Sequence, residues 1–198
     1  MRIKSQWFKG GQGKTPDEIG AAMAFILYRI GLNALKKMRQ AGFDIAVGEQ
    51  YFDFLTEFQI YLVQIADRLA YAHFQPEDRQ TFTVALANRV AENQAENQSE
   101  LLGGSAAEHK SRFIERLNLR AGEYADFDYD AEGGKFAFVR FLAHCINAIV
   151  DQKDKSWVVD QITAIEGPEA AEMVEKSMQG LLDTESKPRR SSRVSGGD

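Results

Sequence analysis

With one cysteine in 198 residues, Cys145, no disulfide can staple the chain internally, and a lone thiol in the middle of an apolar run reads as packing suited to a reducing cytoplasm. Proline is nearly as scarce. Three of the four, Pro16, Pro76 and Pro168, are each followed directly by an acidic residue, the pattern of a helix start. None of the three histidines has a glutamate three residues before it, which excludes the paired Glu-x-x-His of di-iron bundles despite Glu49, Asp53 and Glu57 sharing one helix face. No His-Glu-x-x-His or Gly-x-Ser-x-Gly occurs, and His144 and Cys145 are neighbours that point to different helix faces. Strand-like alternation is missing throughout. The longest early apolar run, Ile19 to Tyr28, stops at Arg29 and is too short to span a bilayer, and the acids before it disfavour a signal peptide; no membrane association is expected. A net charge of −5 makes nucleic acid an unlikely partner for the surface as a whole.

What remains is ordinary globular composition with strong helical periodicity, 44% hydrophobic and 27% charged, enough for one sizeable core. The most apolar helix-length stretch runs from Phe136 to Val150, and the rest is expected to pack around it. Its polar residues Arg140, His144, Asn147 and Asp151 fall in one narrow strip, which is expected to be at least half covered and to form a polar network. A first helix opens at Pro16, with a buried apolar arc from Ile19 to Met38 that includes Met23, Phe25, Leu27 and Leu35, a wet strip of Arg29, Asn33, Lys36 and Gln40, and Gly42 as its stop. A second spans Glu49 to Phe74, with Phe54, Phe58, Leu62, Ile65 and Leu69 inward and Glu49, Asp53, Glu57, Gln64 and Asp67 on the other side. Pro76 opens a third with the stripe Phe82, Leu86, Val90, and the repeat AENQAENQSE reads as its solvated end. Ser105 caps a helix over Ala106 to Leu119. Beyond Asp151, a short helix from Lys155 to Glu166 should end at Gly167, with a last one starting at Pro168. The expected fold is all-α: a single compact, bundle-like domain of about seven helices over residues 16–183, preceded by a flexible glycine-rich arm (1–15) and followed by a disordered tail (184–198).

Three groups of residues could carry chemistry. Lys9 to Thr15 reads KGGQGKT, which resembles the deviant phosphate-binding loop of the partitioning and septum-positioning ATPases. That resemblance implies Lys14 on the phosphates, Thr15 on magnesium and Lys9 as the signature lysine. In that family a buried strand precedes the loop, whereas MRIKSQWF is a poor strand and Pro16 interrupts the entry, so a solvated arm is the competing reading. Asp126, Asp128 and Asp130 alternate like the first half of a calcium loop, but Ala131 and Ala137 stand where the turn glycine and the bidentate glutamate belong. Arg112, Arg116 and Arg120 recur every four residues with His109 three before them, a ridge able to hold an anion or to pair with neighbouring acids.

No convergent catalytic set emerges, so the chain reads as a non-catalytic helical binding or assembly module, cytoplasmic, whose partner is another protein or a second copy of itself; no cofactor is expected. The alternatives are a nucleotide-binding protein using KGGQGKT, and an anion or nucleic-acid binder using the arginine ridge.

Overall fold

The computed structural model describes residues 14–130 and 134–186, and among them the fold is helical without a strand. In order, the helices are α1 (Pro16–Gln40), α2 (Glu49–His73), α3 (Pro76–Leu102), α4 (Ala106–Tyr124), α5 (Gly134–Ile149), α6 (Lys155–Gln161) and α7 (Gly167–Ser186). The last two are joined by a π-helical turn, Ile162–Glu166, with no break in the winding, so the rods number six where seven were expected. The expected stop at Gly167 is therefore corrected. Pro168 has no amide to donate, and the chain accommodates this just upstream by a wider turn, in which the Gly167 N–H reaches back to Ile162 O. Gly167 is also needed for space, since a Cβ there would lie 2.0 Å from Val139 Cγ2. Tyr61, buried on α2, donates its hydroxyl to Gly167 O at 3.1 Å and ties the turn to the core. α7 runs to Ser186, three residues past the expected boundary at Asp183, and the expectations for residues 1–13 and 187–198 lie outside the described residues.

Local punctuation follows the residue types at several helix ends, although Ser105, expected to cap α4, makes no side-chain capping bond. Thr15 caps α1 in a reciprocal box: its Oγ1 accepts from the Glu18 amide at 3.3 Å and the Glu18 carboxylate accepts from the Thr15 amide at 3.0 Å. At the far end of α3, Gly103 and Gly104 both hold positive φ, a conformation open to glycine at no steric cost. His109 then secures that turn, its Nε2 donating to Gly103 O at 2.9 Å.

The organising element is α2, and this corrects the expectation for Phe136 to Val150. Every residue from Glu57 to Ala66 is buried, so α2 has no wet side over its middle turns, and Glu57 and Gln64 are interior. On α5, Phe138, Leu142, Ala143 and Ile146 are in the core, but Phe136 is 59% exposed. α3 runs antiparallel to α2, with Arg79 bonded to Asp67 at one end and Gln94 to Phe52 O near the other. α1 lies on α2 and against α3, and Gln59 sends its amide into α1, donating to Leu27 O at 3.2 Å beside Gly31. The AENQ repeat is likewise interior on one side: Ala91, Gln94 and Ala95 are buried where a solvated end was expected, because the four-residue period keeps them on one face beneath neighbouring helices. α1 is long and apolar enough to cross a membrane by length and composition, unlike the shorter run read from the sequence, and 56% of its most apolar window is buried within the fold.

Candidate interaction surface

The arginine ridge divides along its length. Arg112 stays on the surface, 3.9 Å from Glu108. Arg116 and Arg120 turn toward α2, where Glu57 is only 3% exposed. Arg120 clasps it with both arms of its fork, Nε to Oε2 at 2.9 Å and Nη2 to Oε1 at 2.8 Å, while Arg116 Nη1 meets Oε1 at 2.8 Å. Arg120 also donates to Glu123 at 2.7 Å and lies over the Phe141 ring. His109 is buried at the α3–α4 turn rather than on the ridge. Charge on this face is thus largely spent inside the molecule, in a geometry that satisfies a buried carboxylate.

Cys145 sits beside that cluster, 4% exposed, and burial together with the Glu57 carboxylate pushes its thiol up to about 12. A thiol so placed is a poor nucleophile, since the thiolate is the reactive form. Alkylation of the folded protein by a maleimide at neutral pH should be far slower than in denaturant; equal rates in the two would show an accessible, activated thiol.

The polar strip does not converge. Arg140, His144 and Asp151 are exposed and Asn147 is half-buried. Asp151 lies past the end of α5 and meets Gln50 Nε2 at 3.5 Å, a long contact. With these side chains in water, Arg140→Ala and His144→Ala should each cost no more than about 0.5 kcal/mol in urea denaturation. A loss well above that range would reveal a structural role for the strip.

Of the phosphate-loop residues, Lys9 lies outside the described region, Lys14 is half-buried, and Thr15 is engaged as the α1 cap. Asp126, Asp128 and Asp130 are all exposed on the loop after α4, and among the described residues no three His, Cys, Asp or Glu side chains gather in a metal-binding group. Arg68 fastens this loop from α2, donating to Tyr124 O at 3.1 Å and Phe127 O at 3.4 Å, so the aromatic residues pack down and the acids face outward.

Buried on the π turn, Glu166 accepts from Gln161 Nε2 at 3.2 Å. Desolvation holds its carboxyl above the usual glutamate range, against the opposing pull of that amide. Its folded pKa exceeds the unfolded one, so its contribution is fully present below about 4.3 and is lost as pH rises through the folded value. Glu166→Gln should accordingly raise the urea midpoint at neutral pH and flatten its decline above the acid range. An unchanged pH profile would contradict this.

Two open clefts stand out among the described residues. One, of about 370 Å³, lies where the start of α5 meets the π turn, with Tyr61 and Val139 in its floor and Glu172 and Glu175 on its wall. Its charges are matched, Glu175 taking Lys135 at 2.6 Å and the Tyr129 hydroxyl at 2.7 Å. The other, of about 520 Å³, is a groove between α1 and α3, with Ala21, Val84 and Ala85 along its middle, Asp17 at one end and Arg89 with Glu92 at the other. It exists because Gly20 lets the helices approach almost to backbone contact, while the next positions outward are small. Val84 is 54% exposed and Phe25, one turn beyond Ala21, is 50% exposed. Sequence reasoning missed this surface and placed Phe25 inward; the available signal was Val84, an apolar residue off the Phe82, Leu86, Val90 stripe.

Comparison with protein-family models, with characterised proteins and with solved structures gives no match to this chain.

Proposed function

We propose that the protein is a helical binding or assembly module whose docking face is the α1–α3 groove. The observation that carries this reading is Val84, a large apolar side chain left 54% exposed in a trough floored by Ala21 and Ala85, with exposed Phe25 one turn beyond Ala21 on α1. Isolated exposed apolar residues are common on any protein, but one in a concave trough with polar ends, with a second a turn away, has the anatomy of an interface, apolar at the centre and polar at the rim. Binding at such a face needs no cofactor and no catalytic set.

The test is photo-crosslinking in cells from a benzophenone amino acid placed at Val84, with exposed Gln152 as the control position. Discrete adducts from Val84 and none from Gln152 support the reading. No adduct from Val84, or the same adducts from both positions, overturns it.

A further inference from the structure

We infer that the occupant of the groove is the same groove of a second copy, related by a two-fold axis, an inference that rests on the reading of the α1–α3 groove as a docking face. The argument is the distribution of charge along it. α1 and α3 both run antiparallel to α2 and so run parallel to each other, with Gly20 level with Phe82 and Leu86. Their N-terminal turns therefore sit together, and they carry Asp17, Glu18, Glu77 and Asp78, all exposed. Toward the other end of the groove the cations gather: Arg29 is exposed above the Phe25 ring, and Arg89 and Lys110 flank Glu92, at 3.0 Å and 2.9 Å, with Glu96 exposed one turn further along α3. The trough is acidic at one end and apolar through Ala21, Val84 and Ala85, with Phe25 one turn beyond Ala21, and three cations, Arg29, Arg89 and Lys110, stand toward the other end.

A surface of that kind is complementary to itself only when reversed. Asp17 and Arg29 are twelve residues apart, about 18 Å along the helix, so a two-fold axis near Ala21 and Phe25 sets each acidic end against the partner's basic end. Both charge contacts then form at the rim, and the apolar centres cover one another. A parallel arrangement would place like charges together at both ends, so the same pattern that favours the two-fold pair selects against the alternative. Small residues at 21 and 85 provide the depth into which Phe25 and Val84 of the partner can settle.

The experiment is sedimentation equilibrium of the purified full chain up to about 500 μM, at low and high salt, with circular dichroism as the check on folding. The expected result is a monomer–dimer equilibrium that Val84→Glu weakens by about tenfold or more. Asp17→Lys should weaken it as well, and adding Arg29→Glu to that variant should restore it, because the swapped charges again oppose one another across the axis. High salt should weaken the wild-type dimer and reduce the effect of Asp17→Lys. A monomer at every concentration overturns the inference, as does a dimer indifferent to both Val84→Glu and Asp17→Lys. Should the chain be monomeric while Val84 crosslinks a different protein in cells, self-association fails and the docking face stands; with neither, both readings fail.

Discussion

Glu57→Ala should lower the free energy of unfolding by about 3–5 kcal/mol, the cost of breaking a buried ion pair by removing one partner. The loss falls mainly on Arg120, whose side chain is only 18% exposed and which would keep Glu123 alone as its acidic partner. Arg116, 47% exposed, can turn to water and adds less. The attribution can be separated from simple cavity formation. Arg120→Met alone leaves Glu57 with one half-exposed arginine and should also be costly, whereas Glu57→Leu with Arg120→Met removes both charges and should cost well under the sum of the singles. Urea denaturation of the three variants measures this; additive losses would mean that the pair is not coupled.

The second large effect should appear at Gly20. In an exposed helix interior, Gly→Ala normally stabilises by about 1 kcal/mol. At Gly20 a Cβ would lie 2.6 Å from Phe82 O and 3.1 Å from both the Leu86 amide nitrogen and Ala85 Cβ. Two of these neighbours are backbone, which cannot swing aside, so α1 and α3 must part along their length. The sign should invert, with Gly20→Ala destabilising by about 1–3 kcal/mol. Gly122 on α4, where a Cβ meets nothing within 4 Å, serves as the internal comparison. Thermal melts should move in opposite directions for the two variants, and a stabilising Gly20→Ala would show that the α1–α3 spacing yields easily.

The starts of α1 and α3 and the end of α3 were legible because the signals that set them are local. Pro16 with Asp17 and Glu18, Pro76 with Glu77 and Asp78, and the Gly103–Gly104 pair act within one turn of where they stand. The interior of α2 was not, because Glu57 reads as a wet residue until α4 brings arginines from about sixty positions away, and a four-residue period identifies a face without naming its neighbour. Gly167–Pro168 is a helix stop by local rules; it became a π turn because α5 and Tyr61 hold both flanks in place. The groove was hidden for a related reason. Ala21 and Ala85 look like filler in one dimension, and they become a trough only when Gly20 sets the distance between two helices that are not consecutive.

The closure of α1 onto α7 has a consequence for the chain as it is made. Lys37 near the end of α1 pairs with Glu169 at the start of α7, 132 residues later, and α7 packs against α1. At ordinary ribosomal rates that interval lasts roughly 7–26 s. Through it the stretch of α1 around Lys37 waits for a partner that is made long after α2 and α3, so that part of the fold closes only once α7 has been synthesised.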